Sequence, residues 1–196
     1  MAGLIRTVAP TDLPVDVATV KSALRIDLSE DDALLDALIG AASDEAEHRL
    51  HRAILPQTWM LFLDSLPRQV RLPWPTVQSV TIDYRQDAGD WMSLGANDVF
   101  LVSGAPSLVV PAHGVAWPTV SHYPDSARIT FQSWSWATPA VVPLGIRQWI
   151  VARVGELYEY RERSGPNPAV AHTFVDGLLA PWIIPDYGWR QCEQAL

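Results

Sequence analysis

Lysine is almost missing from this sequence, cysteine occurs once, and no apolar run reaches the length of about 18 residues that a membrane-spanning helix needs. Each shortage removes a class of protein. Lys21 is the sole lysine among fourteen basic residues and the formal net charge is -8, so no Lys/Arg-rich run is available to follow a phosphate backbone. Tight nucleic-acid binding is therefore not expected. Cys192, standing alone, leaves neither an internal disulfide framework nor a cysteine-based metal site, and it points to a reducing compartment. The first fourteen residues contain Arg6, Asp12 and two prolines without the apolar core of a secretory signal, so the sequence reads as a soluble protein with no membrane contact. Phosphate-cradling glycine loops followed by Lys-Ser or Lys-Thr are also missing, and the glycines form no dinucleotide fingerprint. No cofactor is expected.

What the chain has in quantity is apolar and aromatic surface. Hydrophobic residues make up 48% and charged residues 18%, with sixteen prolines and nine tryptophans, which describes a folded chain with many turns and large aromatic contacts. The clearest periodic stretch is 29–53. Leu34, Leu35, Leu38, Ile39, Ala42, Ala46, Leu50 and Ala53 recur at three- and four-residue steps and predict one long helix with a buried stripe. Ser29 is its expected cap, with Asp32 at the reciprocal position. Glu30, Asp31 and Asp36 add negative charge at the positive dipole end, and His48, Arg49, His51 and Arg52 add positive charge at the other, before Pro56 stops the helix.

A shorter helix is expected over 15–26, from Val17, Val20, Ala23 and Leu24, with Asp16 as cap or first-turn acid; residues before it read as an irregular lead-in. After Pro56 the period changes to alternation. Strands are expected at 57–64, 69–72, 77–84, 91–94, 99–102, 108–110 and 128–134, separated by Gly, Pro, Asn and Ser clusters. Pro143 then opens a further helix through Ile146, Trp149, Ile150, Val154, Leu157 and Tyr158, which Gly165-Pro166 ends. The fold class expected is α+β: a helical bundle of three main helices with an antiparallel β-rich lobe inserted between the second and third, and a C-terminal tail. The expected segments are 1–55 (lead-in and helical hairpin), 56–140 (β lobe), 141–165 (third helix) and 166–196 (loop and docking tail). Trp182, Ile183, Ile184, Tyr187 and Trp189 concentrate apolar surface in that tail, which either docks on its own domain or orders on a partner.

Candidate chemistry is sparse. His48 and His51 lie three residues apart on the long helix, but no third ligand accompanies them, and dipole-facing histidines explain the pair. His113 and His122 have no nucleophile motif nearby, and His172 stands beside a loop. Glu30, Asp31, Asp32 and Asp36 read as first-turn acids, and Arg153 with Glu156 as an intrahelical pair. Neither a metal site nor a catalytic site is expected. Trp74, Trp91, Trp117, Trp134 and Trp136 raise a different reading, a β-type carbohydrate-binding module on a helical base. Trp134 and Trp136 would share one face of an extended strand, although tryptophan is more often a core or interface residue.

Two sets of residues, taken together, resemble a known family. The first is VDVATVKSALRID at 15–27, EDDALLDALI at 30–39 and AILPQTW at 53–59; the second is VPLGIRQWI at 142–150 and LYEYRE at 157–162. In that order, with a β block between them, they look like the head-tail connector (adaptor) proteins of long-tailed bacteriophages and gene transfer agents. The resemblance implies a non-enzymatic structural protein of the virion or phage-like particle, made in the bacterial cytoplasm and placed at the head-tail junction. It implies a ring of about twelve copies under the portal protein, contacting a stopper or tail-side connector protein, with DNA passing through unbound. An acidic, lysine-poor chain suits such a lumen, because it does not grip phosphates. The aromatic tail, Trp182 to Trp189, is then a candidate portal or subunit contact.

Overall fold

The computed structural model describes residues 3–27, 29–86, 89–121, 123–159 and 173–185. Its secondary structure is α+β, and the chain divides into two compact units. One unit is helical, formed by Thr11–Leu55 and Trp136–Ile184; the other is built of strands and contains Pro56–Ser135 together with the residues up to Pro10.

In the helical unit, α1 (Val17–Leu24) is capped by Asp16, whose carboxylate accepts the Thr19 N–H at 2.6 Å. Arg25 ends it in the left-handed region at φ 57°, with its N–H on the Lys21 carbonyl. The long helix is α2 (Asp32–Leu50), shorter than expected at both ends. Ser29 does not cap it: the Ser29 carbonyl accepts the Asp32 N–H in a turn, and Asp31 occupies the cap position. At the other end His51 turns left-handed at φ 55°, so the helix closes before Arg52. Leu35, Ile39, Ala42, Ala46 and Leu50 are fully buried as the period requires, but Leu34 is 38% exposed, one step outside the stripe. Helix α3 (Leu144–Glu159) presents Ile146, Trp149, Ile150, Val151 and Val154 to the same core, and its start directly after Pro143 fits a proline at the helix entrance. A one-turn helix, α4 (Thr173–Asp176), and a 3-10 turn at Ala180–Trp182 complete the unit. Leu179, 1% exposed, joins the core from this segment.

The β unit contains β1 (Gly3–Val8), β2 (Gln57–Leu63), β3 (Val70–Arg71), β4 (Val77–Tyr84), β5 (Met92–Ser93), β6 (Val99–Val102), β7 (Leu108–Pro111) and β8 (Ala127–Ser133). All pairings are antiparallel. They form a five-stranded sheet in the order β1-β2-β8-β4-β5 and a three-stranded sheet in the order β3-β7-β6. The segment expected to be an irregular lead-in is thus an edge strand: Leu4 pairs with Leu61 and Ile5 with Met60, and a bulge falls between Arg6 and Val8. GLIRTV sets Leu4 beside Ile5 and Arg6 beside Thr7, so it does not alternate, and its pairing with β2, far along the chain, is what makes it a strand. The second core lies in this unit, where Leu61, Val70, Leu72, Val77, Ile82, Val109, Ile129 and Phe131 are each at most 3% exposed. Burial of this kind stabilises by about 25 cal/mol per Å² of apolar surface removed from water.

Candidate interaction surfaces

The C-terminal segment of the helical unit is fastened by polar contacts. Arg49 on α2 pairs with Asp176 at 2.7 Å and with Glu45 at 3.0 Å, and Glu45 pairs in turn with Arg153 on α3 at 2.7 Å. Arg153 also meets Glu156 at 2.7 Å, the intrahelical pair expected from the sequence. Partial burial pulls the Arg153 pKa down, but hydrogen bonds to Glu156 and Glu45 more than offset it and leave the group raised. The Asp176 carboxyl is held below its ordinary value first by the Trp149 indole N–H, at 3.2 Å, and then by Arg49. Helices α2, α3 and α4 are thereby tied into one charged chain on a shared surface.

Beyond α4, Trp182 stands edge-on to Trp136, ring centroids 6.0 Å apart, and the Ile184 N–H donates to the Leu50 carbonyl at 3.0 Å. Of the tail residues singled out in the sequence, Trp182 and Ile184 are therefore half-buried against their own helical unit, and Ile183 is 46% exposed. Tyr187 and Trp189 lie outside the described residues. Periodicity gave no hint of this packing, because a strap held by one aromatic pair and one backbone hydrogen bond carries no repeat.

The end of α2 contains a residue that its place in the sequence does not single out. Glu47 is 5% exposed, and its Oε1 accepts the Ile54 N–H at 2.7 Å. Two of the acids at the other end are occupied: Lys21 pairs with Asp32 at 2.6 Å, and the Tyr158 hydroxyl donates to Asp31. His48 is exposed, His51 is the left-handed C-cap and His113 lies on an exposed loop of the β unit, while His122 and His172 fall outside the described residues. Among the described residues no three His, Cys, Asp or Glu groups are placed to share a metal ion, and no helix is long and apolar enough to cross a membrane.

The tryptophans do not form a platform. Trp59 and Trp74 meet with tilted rings, centroids 5.2 Å apart, in or beside the β core, and the Trp117 indole donates to the Pro67 carbonyl at 2.8 Å. Trp91 is clamped between Arg85 and Arg128, whose guanidinium carbons stand 4.1 and 4.3 Å from its ring centre. Strand β8 ends at Ser133, so Trp134 and Trp136 do not share a strand face, and Trp136 packs in the helical unit, against Trp182 and Arg52. No described tryptophan ranks among the exposed large hydrophobics.

The exposed apolar residues are elsewhere. In the helical unit Leu144 is 62% and Val141 57% exposed, beside a cleft of about 700 Å³ whose walls include Leu13, Asp16, Asp36 and Arg147. In the β unit Ile5 and Val8 are each 54% exposed on β1, and Phe100 and Val102 are 59% and 41% exposed on β6.

A β unit that interrupts a helical unit, with apolar side chains exposed on its strands β1 and β6, defines an α+β protein whose visible features are surfaces. Residues 14–81 match the model of a family described as phage gp6-like head-tail connector protein. That stretch holds α1, α2, β2, β3 and most of β4, so the resemblance to the head-tail connector family seen in the residues is shown by a second route. Three solved structures share the fold. A chain from the neck of an empty gene transfer agent particle, computed with C6 symmetry, has a TM-score of 0.74 at 23% identity, covering 93% of this chain and 96% of that chain. A chain from the virion of a native gene transfer agent particle has a TM-score of 0.74 at 22% identity, covering 93% and 95%. A chain from the neck of a native particle, computed with C12 symmetry, has a TM-score of 0.70 at 24% identity, covering 94% and 96%. At these identities the likeness is one of fold. No curated protein matches the sequence significantly.

Proposed function

We propose that this chain is a structural, non-enzymatic head-tail connector of a phage or phage-like particle, forming a ring under the portal protein through which DNA passes from head to tail. The observation that carries the reading is a coincidence of two independent likenesses. A connector family model covers residues 14–81, and the fold extends over 93% of the chain to a protein of a particle neck. Cyclic symmetry in the related necks, C6 and C12, supports a ring of about twelve copies. The charge balance supports passage without binding, since one lysine in 196 residues leaves few groups to hold phosphates in a lumen. Portal protein on one side and a stopper or tail-side connector on the other are the partners this position requires, and the head-tail junction of the particle is the location. Within the tail, Ile183 and the residues from Tyr187 to Trp189 are proposed as the portal or subunit contact, while Trp182 and Ile184 anchor the segment that leads to them.

Electron microscopy of particles from a producing strain lacking this gene tests the reading, with a plasmid copy as control. Tailless heads beside free tails, rescued by the plasmid, are expected; normal tailed particles would overturn it. Truncation after Pro185 separates anchor from contact. The shortened chain keeps the packing of Trp182 and Ile184, and it is expected to fold and to lose portal binding; undiminished binding would remove the residues after Pro185 from the interface.

A further inference from the structure

The β unit leaves two unlike strand edges open. Among the described residues β1 is paired on one side only, with β2, and β6 on one side only, with β7. The remaining sheet ends, β3 and β5, are two residues each and offer little to pair with. Edge strands of lone proteins are commonly blunted by proline, by lysine or by an inward charge. Strand β1, GLIRTV, has none of the first two and a single charge, Arg6; β6, VFLV, has none of the three. Both turn apolar side chains outward, Ile5 and Val8 from the one, Phe100 and Val102 from the other. Two apolar, open and different edges on one subunit suit a head-to-tail contact between copies, the kind that closes into a ring when the rotation is right.

We infer that neighbouring copies join by β-augmentation: β1 of one copy pairs antiparallel with β6 of the next, making a sheet that continues across the subunit boundary. The occupant of each open edge is thus a second copy of this chain, and the inference rests on the ring proposed above. Side-chain parity allows Ile5 to face Phe100 or Val102, and only the Phe100 register pairs all four residues of β6 ahead of the bulge between Arg6 and Val8. Placing Ile5 opposite Phe100 sets the two exposed side chains on one face. It also sets Leu4 opposite Leu101, both of which pack toward the β core in their own subunit. In this register Val99 falls opposite Arg6 and Val102 opposite Gly3, so all four residues of β6 find a partner on β1.

Cysteine cross-linking in assembled particles tests this. In a Cys192→Ser background, Ile5→Cys and Phe100→Cys would lie across an antiparallel pair, whose Cα separation of about 4.5–5.5 Å is within disulfide range. Oxidation is expected to give a ladder of covalent multimers on a non-reducing gel. Neither single variant should give a ladder, nor should Ile5→Cys combined with Met92→Cys, which places the second thiol on β5. Intact necks containing the double variant but no ladder would overturn the pairing and leave the connector reading standing. Absence of the protein from necks in the wild type would overturn both. The variant Phe100→Lys gives a second readout, since Phe100 is exposed in the free subunit. It is expected to keep the wild-type melting temperature and to lose incorporation into necks; full incorporation would overturn the pairing.

Discussion

Replacing Glu47 isolates one buried hydrogen bond at a junction the helical unit depends on. Helix α2 closes with the N–H groups of His51 and Arg52 both directed at the Glu47 carbonyl, and the chain then folds back so that the Ile54 N–H meets the Glu47 carboxylate at 2.7 Å. Ala53, Ile54 and Leu55 are 0%, 1% and 2% exposed, so water does not replace that acceptor. The Ile54 carbonyl in turn receives the Trp136 N–H at 3.0 Å, which ties the junction to the chain entering from the β unit's sequence. Glu47→Ala strands a buried amide, a cost of about 1–3 kcal/mol, against which the better helix propensity of alanine returns only a few tenths, about 0.3 kcal/mol. Glu47→Gln keeps an oxygen in place and loses only the charge assistance, so its cost should be about half as large. Urea unfolding followed by far-UV circular dichroism reports the helical unit, and the midpoint should fall in the order wild type, Gln, Ala at unchanged slope. If the alanine variant matches the wild type, the carboxylate is not the acceptor on which this turn relies; if glutamine falls as far as alanine, the charge of Glu47 rather than its oxygen carries the contribution.

Asp16→Ala removes the cap of α1 and should lower stability by about 0.5–2 kcal/mol, read from the same urea midpoints; Asp16→Asn or Asp16→Ser should recover most of it. Asp176 has a folded pKa below its ordinary value, so the stability it contributes is present above the unfolded carboxylate pKa of about 3.9 and is lost as pH falls through the folded value. Asp176→Asn should therefore flatten the decline of melting temperature in the acid range below about pH 4, and an unchanged acid profile would remove Asp176 from it. Gly145→Ala sets a helix-propensity gain of up to about 1 kcal/mol against a Cβ 3.1 Å from the Leu178 carbonyl oxygen. The segment beyond is held by the buried Leu179 and the turn hydrogen bonds of 175–182, so the clash should win and the melting temperature should fall; a rise would show that this segment yields.

Most helices and strands are legible in the amino-acid sequence, to within a few residues at their ends, because they are written in local period. The spacing of Leu35, Ile39, Ala42, Ala46 and Leu50 is set by 3.6 residues per turn whatever lies opposite, and Asp16 sits where a first turn needs an acceptor. The alternation over Val77–Tyr84 and the Gly, Pro, Asn and Ser clusters flanking Val99–Val102 placed two strands to the residue, and the quoted motifs carried the family resemblance. Long-range pairing was decided elsewhere. That β8 lies between β2 and β4, and that the β6–β7 hairpin leaves the main sheet to pair with β3, follows from which apolar faces meet after the chain has closed loops of many residues, and no local pattern encodes it. Strand β1 depends wholly on its distant partner. Glu47, which nothing in the helical period singles out, is a buried acceptor, while Leu34, read from the period as core, is exposed, since one residue of rotation separates the faces. Trp134 and Trp136 shared a face only while the strand was imagined to continue; tertiary packing ended it at Ser133 and took Trp136 into a different core. Sequence period specifies which way a side chain points from its own element, and only the packed chain specifies what it then meets.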